Sequence, residues 1–404
     1  MYKMFPILLI SLLVAQDALA IDEVVPAPIY LNQSGLNLGG PKRFTAPTLP
    51  DATPFQIVNT TTERVLYQGT IENHIGDFSD FNPDNGDEFV VTAGGFRSFP
   101  FQIGHFWLER VTYQNAVDFM IDSRHYVGNY KKPCVGSFGW RDDHHFAFEL
   151  RTLVPQYLSN PVAYERMPHK ITCLEPRPGL WGTLQPYKED APDLVKLIHW
   201  GADITVTQKL RHELLKGELA YFLYAWPQLK RWLPEQNYRV VLDYALEVWQ
   251  QSTVDRKYPY DQSTEHDLLA LKTKIGTTKG SLPPGHSVMP NLLMYEVARR
   301  DGLPVPDAER FFRAASRQVA WMIENLDWED PLTTKGQRMS EHVTITGLAC
   351  FLQLHPDRAP TGLREKIVDW ARVVVRRSDN MWDFRKWTDG EGWTPYGKEK
   401  TMWN

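Results

Sequence analysis

Between residues 29 and 126 the apolar positions recur with period two. Phe55-Gln-Ile57, Phe89-Val-Val91-Thr-Ala93 and Phe99-Pro-Phe101-Gln-Ile103 put apolar side chains on alternate positions. Turn-forming runs separate them: Gly39-Gly40-Pro41, Asn82-Pro-Asp-Asn-Gly86 and Gly94-Gly95. Short strands at this spacing predict a β-sandwich. Pro100 lacks a ladder N–H and is expected on an edge strand. After residue 145 the period becomes helical. Asp190-Ala-Pro192 opens a helix with Leu194, Leu197, Ile198, Ala202 and Val206 on one face. The run 216–226 groups Leu219, Phe222, Leu223 and Trp226; the run 237–250 groups Val241, Tyr244, Ala245 and Val248. Further helices are predicted at 289–300, 307–326, 341–354 and 363–377, the last carrying Ile367, Trp370 and Val374. The expectation is an all-α domain of stacked helical hairpins. The polar segment Gly128 to Pro133 divides the two patterns, giving a β domain over 21–127 and a helical domain over 134–404.

The first twenty residues carry one Lys, an apolar stretch from Phe5 to Ala15, and then Ala18-Leu19-Ala20. That order predicts a secretory signal, 1–20, rather than a membrane span, because the apolar stretch is too short to cross a bilayer. The protein is therefore expected to be secreted or periplasmic. Net charge is −5 with no long basic run, which argues against nucleic acid as a partner. Cys134, Cys173 and Cys350 are odd in number and widely spaced, so one disulfide is open and a zinc-type cluster is not expected. Trp is the compositional outlier: of 14, all but Trp107 follow residue 126. Most are expected to fill a helical core, and some to stack on flat apolar faces such as those of sugar rings.

One stretch concentrates chemistry. Ser137 to Phe146 reads SFGWRDDHHF, with Trp140, Arg141, Asp142, Asp143 and His145 together just ahead of a helical run. Two readings stand side by side. Asp142 or Asp143 caps a helix beginning near His144, or the carboxylates line a site; one residue is able to do both. Tyr258, Tyr260 and His266 occupy a polar, aromatic loop suited to a sugar cleft or to solvent. Arg338, Glu341 and His342 lie at a helix start, where Ser340 is a plausible cap. Trp387 and Trp393 belong to the densest aromatic and acidic patch, which reads as a stacking platform or as a Trp-rich closing loop. Gly-rich phosphate loops, a Gly-x-Ser-x-Gly elbow and metal-spaced histidines are absent, so no cofactor or metal is expected. Adjacent His144 and His145 on a helix would point to different faces.

IYLNQSGLNLGGPKRF (29–44), with DFSDF (77–81), DEFVV (87–91) and SFPFQI (98–103), resembles the N-terminal immunoglobulin-like domain of cellulases. That domain precedes the (α/α)6-barrel of glycoside hydrolase family 9. GWRDDHHF (139–146) resembles the family's Gly-Trp-x-Asp-Ala-Gly-Asp-Tyr segment, APDLVKLIHWGADI (191–204) its Pro-Asp-Leu-Leu-Asp-Glu-x-x-Trp helix, and ELAYFLYAW (218–226) the following hairpin. The resemblance implies an immunoglobulin-like β-sandwich followed by a six-hairpin helical toroid, which is either incomplete at its C-terminal side or reduced. Its departures fall on the chemistry. Without gaps, Asp142 takes the place of the water-holding Asp, while the general base position is His145 and Asp143 takes the Ala position. A shift of one or two residues would return Asp143 to the water. Lys196 and Leu197 replace the family's Asp-Glu pair, and its Asn-Glu general acid has no counterpart before Asn404.

Three functions follow. The first is an exported glycoside hydrolase that cleaves a β-linked glucan through carboxylate-activated water, the polysaccharide being its partner. Asp142 and Asp143 are neighbours and cannot be both base and acid, since an inverting pair stands roughly 6.5–9.5 Å apart. One of them, or His145, would serve the water. The second is a polysaccharide lyase, in which Arg141 and Arg338 would neutralise a uronate. The third is a non-catalytic glycan-binding protein on the same scaffold.

Overall fold

A computed structural model describes residues 29–83, 87–118, 150–171, 182–207, 209, 215–250, 283–329, 334 and 342–377. The chain divides into two compact units, Met1–Thr112 and Tyr113–Asn404. The segment Gly128 to Pro133, expected as the boundary, lies outside the described residues, as do the predicted signal segment, Cys134 and Cys173.

The first unit is a mixed, mostly antiparallel sheet. Its strands are β1 (Leu36–Asn37), β2 (Arg43–Thr45), β3 (Pro54–Asn59), β4 (Val65–Glu72), β5 (Ile75–Asp77), β6 (Glu88–Ala93), β7 (Phe96–Arg97) and β8 (Phe101–Gly104). They run in the order β1-β8-β6-β3-β4-β5-β2, with β7 beside β6 and only β1 and β8 parallel. Period two is obeyed where it was expected. Phe55 and Ile57 of β3 and Phe89 and Val91 of β6 point into the core, where Phe44, Phe78, Phe81 and Phe101 join them. Phe44 meets Phe55 edge to face at 5.0 Å, the favoured aromatic arrangement. Gly76 on β5 lets that ring in, because a Cβ there would stand 2.0 Å from the Phe44 ring. Gly94 and Gly95 both adopt positive φ and make the tight β6–β7 turn. Pro100 departs from expectation. β8 lies inside the sheet between β1 and β6, and Pro100 stays off the ladder by preceding the strand.

The glycine-rich run at 39–43 folds against the run at 77–82. Gly39 donates its backbone N–H to Asn82 at 2.8 Å, Lys42 donates its own to the Ser79 hydroxyl at 3.0 Å, and Arg43 pairs with Asp77 at 2.7 Å. The Lys42 ammonium is enclosed and donates to the Gly40 carbonyl at 2.8 Å.

The second unit holds α1 (Leu150–Ser159), α2 (Pro161–Glu165), α3 (Asp193–Thr207), α4 (Leu215–Leu229), α5 (Glu235–Gln250), α6 (Val288–Arg300), α7 (Val305–Asn325), α8 (His342–Leu354) and α9 (Leu363–Arg377). The four later helices lie within two residues of their predicted bounds. Helix α1 packs on α4, α4 on α6 and α6 on α8, while α3 and α5 pack on α4 and α7 on α6. Contacts at the helix ends fix directions. Leu150 at the start of α1 meets Glu218 in the first turn of α4, and Gly285 just before α6 abuts Thr344 at the start of α8. Helices α1, α4, α6 and α8 are thus parallel, with α5 and α7 antiparallel between them. Helix α9 breaks the alternation, since its Lys366 carbonyl accepts from Trp328 just past the end of α7 at 2.9 Å.

Helix α3 also departs from expectation. It is not one-sided: Val195, Trp200 and Ile204 are as buried as Leu194, Leu197, Ile198, Ala202 and Val206. Helices α1, α4 and α5 pack on it, and residues 170–171 and 182–185 cover the remaining side.

Candidate functional site

The parallel helices present their N-terminal ends together, and immediately beneath those ends lies a layer of enclosed polar side chains. Lys216 and Glu218 of α4, His286 and Ser287 ahead of α6, Asn291 within it, Gln318 of α7, Thr344 of α8 and Thr334 are all at most 3% exposed. Polar groups in such places are retained only when hydrogen-bonded. The bonds run from helix to helix. Lys216 stands over the Trp249 ring at 5.3 Å, and the Trp249 indole N–H donates to Asn291 Oδ1 at 3.0 Å. Asn291 Nδ2 donates to the Ser287 carbonyl at 3.0 Å. The Ser287 hydroxyl donates to Gln318 at 2.5 Å, and Gln318 donates to the Pro284 carbonyl. Thr344 Oγ1 donates to the Thr334 carbonyl at 2.9 Å. Gly285 permits this closeness, because a Cβ there would lie 2.7 Å from the Thr344 Cα.

Glu218 extends the layer to α1. Its Oε2 accepts the Leu150 backbone N–H at 2.8 Å, and its Oε1 stands 3.8 Å from Arg151 Nε. Gly217 beside it leaves room for the Arg151 guanidinium, which an added Cβ would meet at 2.1 Å. One turn on, burial raises the Tyr221 phenol above its ordinary value.

The opposite end of the array is closed by short, fully described connections. Arg300 donates to the Tyr238 hydroxyl at 2.9 Å and to the Leu223 carbonyl at 3.1 Å, Tyr238 donates to Asp301, and Arg358 pairs with Glu309 at 2.8 Å. His355 is enclosed by the Tyr295, Phe312 and Phe351 rings, and burial lowers its imidazole below 6.5. These groups hold the helices together at that end.

Of the residues singled out from sequence, His342 is described. It is the first residue of α8, and partial burial of its ring lowers the imidazole below the ordinary 6.5. Trp140, Arg141, Asp142, Asp143, His145, Tyr258, Tyr260, His266, Arg338, Glu341, Trp387 and Trp393 lie outside the described residues. The chain order still says where they attach. Residues 140–145 run into the start of α1; 258–266 run from the end of α5 to the start of α6; 338–341 run from α7 into α8. All three join the array at the N-terminal end of the parallel helices. Residues 387 and 393 follow α9, whose placement is different.

Sequence reading passed over Lys216, Glu218, Asn291 and Gln318. Its signal was there in KGELAYFLYAW: two opposite charges bracket a glycine at the head of an otherwise apolar helix. Lys196, read as a lost acidic motif, is itself an internal partner. Its ammonium donates to the Ile171 carbonyl at 3.1 Å and lies 3.6 Å from Asp193. Both sit on the first turns of α3, away from the polar layer. Among the described residues there is no cluster of three or more metal-ligating side chains and no helix long and apolar enough to cross a membrane. Cys350 carries a free thiol, raised by burial.

No family model matches the chain, and no curated protein matches it. Among solved structures it is similar to a metagenome-derived glycoside hydrolase family 9 endoglucanase, at 14% identity over 86% of this chain and 72% of that one, with a TM-score of 0.37. It is also similar to a family 9 glycoside hydrolase of Bacteroides ovatus, at 12% identity over 92% and 76%, TM-score 0.36. A zinc-binding triple mutant of a family 9 endoglucanase aligns at 13% identity over 87% and 73%, TM-score 0.31.

Proposed function

We propose that this protein is an exported glycoside hydrolase acting on a β-linked glucan, built from an immunoglobulin-like β unit and an (α/α) toroid. One observation carries the reading. In chain order, the segments bearing Asp142 and Asp143, Tyr258 with Tyr260 and His266, and Arg338 with Glu341 and His342 each join a described helix at the end of the parallel helices where the enclosed polar layer lies. Three connections of unrelated length thus join the array at one end, which supports the reading that the chemistry they carry serves one site.

In the proposed reaction one of the neighbouring carboxylates takes a proton from water while the other holds that water in line. A carboxylic acid from a different connection protonates the leaving oxygen, roughly 6.5–9.5 Å away as inversion requires. Tyr258, Tyr260 and Trp140 would stack on sugar faces.

The test is reducing-sugar release from soluble β-glucans by the full chain and by its Asp142→Asn and Asp143→Asn variants. Turnover by the wild type, reduced on the order of 100-fold or more in at least one variant that folds normally, supports the reading. An unsaturated uronyl product would mark a lyase instead. Saturable glycan binding without turnover would mark a binding protein, and either result overturns hydrolysis.

A further inference from the structure

We propose that residues 183–187 form an acid-released strap over α3, with His199 as its trigger. Lys196, His199 and Asp203 are spaced three and four apart, so they share one face of α3. All three are at most 4% exposed. The strap covers the His199 and Asp203 end of that face as a single layer of chain: its Leu184 and Tyr187 are buried, while Thr183, Gln185 and Pro186 are exposed. Asp203 accepts the backbone N–H groups of Thr183 at 3.0 Å and of Leu184 at 2.9 Å. Asn237 of α5 accepts the Gln185 N–H at 2.7 Å and donates to the Gln185 carbonyl at 2.8 Å. The same carbonyl accepts from His199 Nε2 at 3.0 Å. The Tyr187 ring meets the imidazole edge to face at 5.1 Å.

That bonding fixes the state of the ring. A carbonyl only accepts, so Nε2 carries the hydrogen and Nδ1 the lone pair. Nδ1 is enclosed and has no hydrogen-bond partner among the described residues. A proton added there becomes a donor with nothing to donate to, on a charge taken out of water. Burial accordingly lowers the imidazole below its ordinary value, against the pull of Asp203 and the Gln185 carbonyl. Lifting the strap removes both costs. Water reaches Nδ1, and the Asp203 carboxylate, released from the Thr183 and Leu184 N–H groups, becomes free to pair with an imidazolium one turn away on its own helix. In the closed state Asp203 serves the strap; in the open state it serves the proton. The neighbouring groups do not take that place. Lys196 carries like charge, lies 3.6 Å from Asp193 and stands 5.8 Å from the Tyr187 ring. From the strap comes the Tyr187 phenol and from α5 the neutral Asn237 amide, neither of which gains or loses a proton near neutrality. The neutral ring keeps the strap closed above about pH 6.5, and protonation opens it below.

The experiment is amide hydrogen exchange on the full chain from about pH 7.5 to about pH 5, corrected for the intrinsic pH dependence of exchange and read at Leu184, Gln185 and amides inside α3. The opening constant at Leu184 and Gln185 is expected to rise about 10-fold per pH unit below about 6.5, as uptake of one proton requires. It is expected to depend weakly on urea, because a local opening exposes little surface. The α3 amides are expected to open less often and with the strong urea dependence of global unfolding. His199→Gln keeps a donor for the Gln185 carbonyl and cannot titrate, so its strap is expected to open to the same extent across the range. If that variant does not fold, Asp203→Asn takes its place. It keeps an acceptor for the strap and removes the partner of the open-state imidazolium, so the rise is expected to move to lower pH. Three outcomes overturn the inference: Leu184 and Gln185 exchanging in step with the α3 amides, an opening constant equal at both ends of the range, or a rise that survives unchanged in either folded variant.

Discussion

Trp249 and Asn291 share a hydrogen bond of 3.0 Å between the last turn of α5 and the first turn of α6, both side chains almost fully enclosed. Between them in sequence lies the long connection that carries Tyr258, Tyr260 and His266. The bond therefore pins both ends of that connection to one spot in the core. It also joins the Trp249 ring to the Asn291, Ser287 and Gln318 chain, so the layer is a continuous strut across α4 to α7.

Breaking that strut from either side leaves its partner enclosed. Trp249→Phe strands Asn291 Oδ1, and Asn291→Leu strands the indole N–H. Each is expected to cost about 1–3 kcal/mol of stability. The double variant is expected to cost less than the sum, with a coupling of about 0.5–3 kcal/mol for groups in direct contact. Urea unfolding of the four proteins measures it. Strict additivity would mean that the bond contributes nothing in solution.

Acid stability separates the two units. In the helical unit, burial holds the His199 imidazole below its ordinary 6.5, against the pull of Asp203 and the Gln185 carbonyl; burial likewise lowers His342 and His355. The unfolded chain then binds more protons than the native one once pH falls below about 6.5, so native stability is full above that value and is lost as pH falls. Asp301, raised by burial, acts in the opposite sense, and only at the lower pH where carboxylates titrate. In the β unit Asp77 is held at about 2, chiefly by the Ser79 hydroxyl and backbone N–H and then by Arg43. Its contribution is present above the ordinary 3.8 and is lost as pH falls through about 2. Tryptophan fluorescence, reporting the enclosed Trp200 and Trp249, is expected to show falling urea midpoints from pH 6.5 downward. His199→Gln, which keeps an amide donor toward the Gln185 carbonyl and cannot titrate, is expected to flatten that slope. Midpoints unchanged between pH 7 and pH 5 would contradict the assignment.

The elements were legible because each obeys a local rule. Phe55 and Ile57 alternate on β3, Gly94 and Gly95 sit where the turn needs positive φ, and the run 363–377 is a helix over the very span its apolar spacing marks. Tertiary context was not legible. Nothing near Trp200 or Ile204 says that α3 will be covered on every side, because the covering residues come from other helices and from 182–185. Pro100 was placed on an edge because sequence shows the missing N–H and not the strand order. The polar layer was missed for the same reason: Leu150 and Glu218, or Ser287 and Gln318, meet only after the helices pack. Asp142 and Asp143 stand out in sequence as a dense run of chemistry and through the resemblance of their segment, and they lie outside the described residues.

Lys196, where the sequence resemblance would place an acidic residue, is an internal structural partner in α3. It and Asp193 are at most 8% exposed, 3.6 Å apart on successive turns of α3. Asp193 also accepts the backbone N–H of Lys170 at 2.5 Å, and Lys196 donates to the Ile171 carbonyl at 3.1 Å. Together they clamp the strand of chain at 170–171 onto the helix. Lys196→Met leaves an enclosed carboxylate without its cation and an enclosed carbonyl without its donor, so a loss of about 3–5 kcal/mol is expected. Adding Asp193→Asn removes the stranded charge while keeping one acceptor for the Lys170 N–H. The double variant should therefore be more stable than Lys196→Met alone. Chemical denaturation with fluorescence detection decides between this and the alternative that Lys196 merely fills space, in which case methionine, of similar length, would be tolerated and the second change would only add damage.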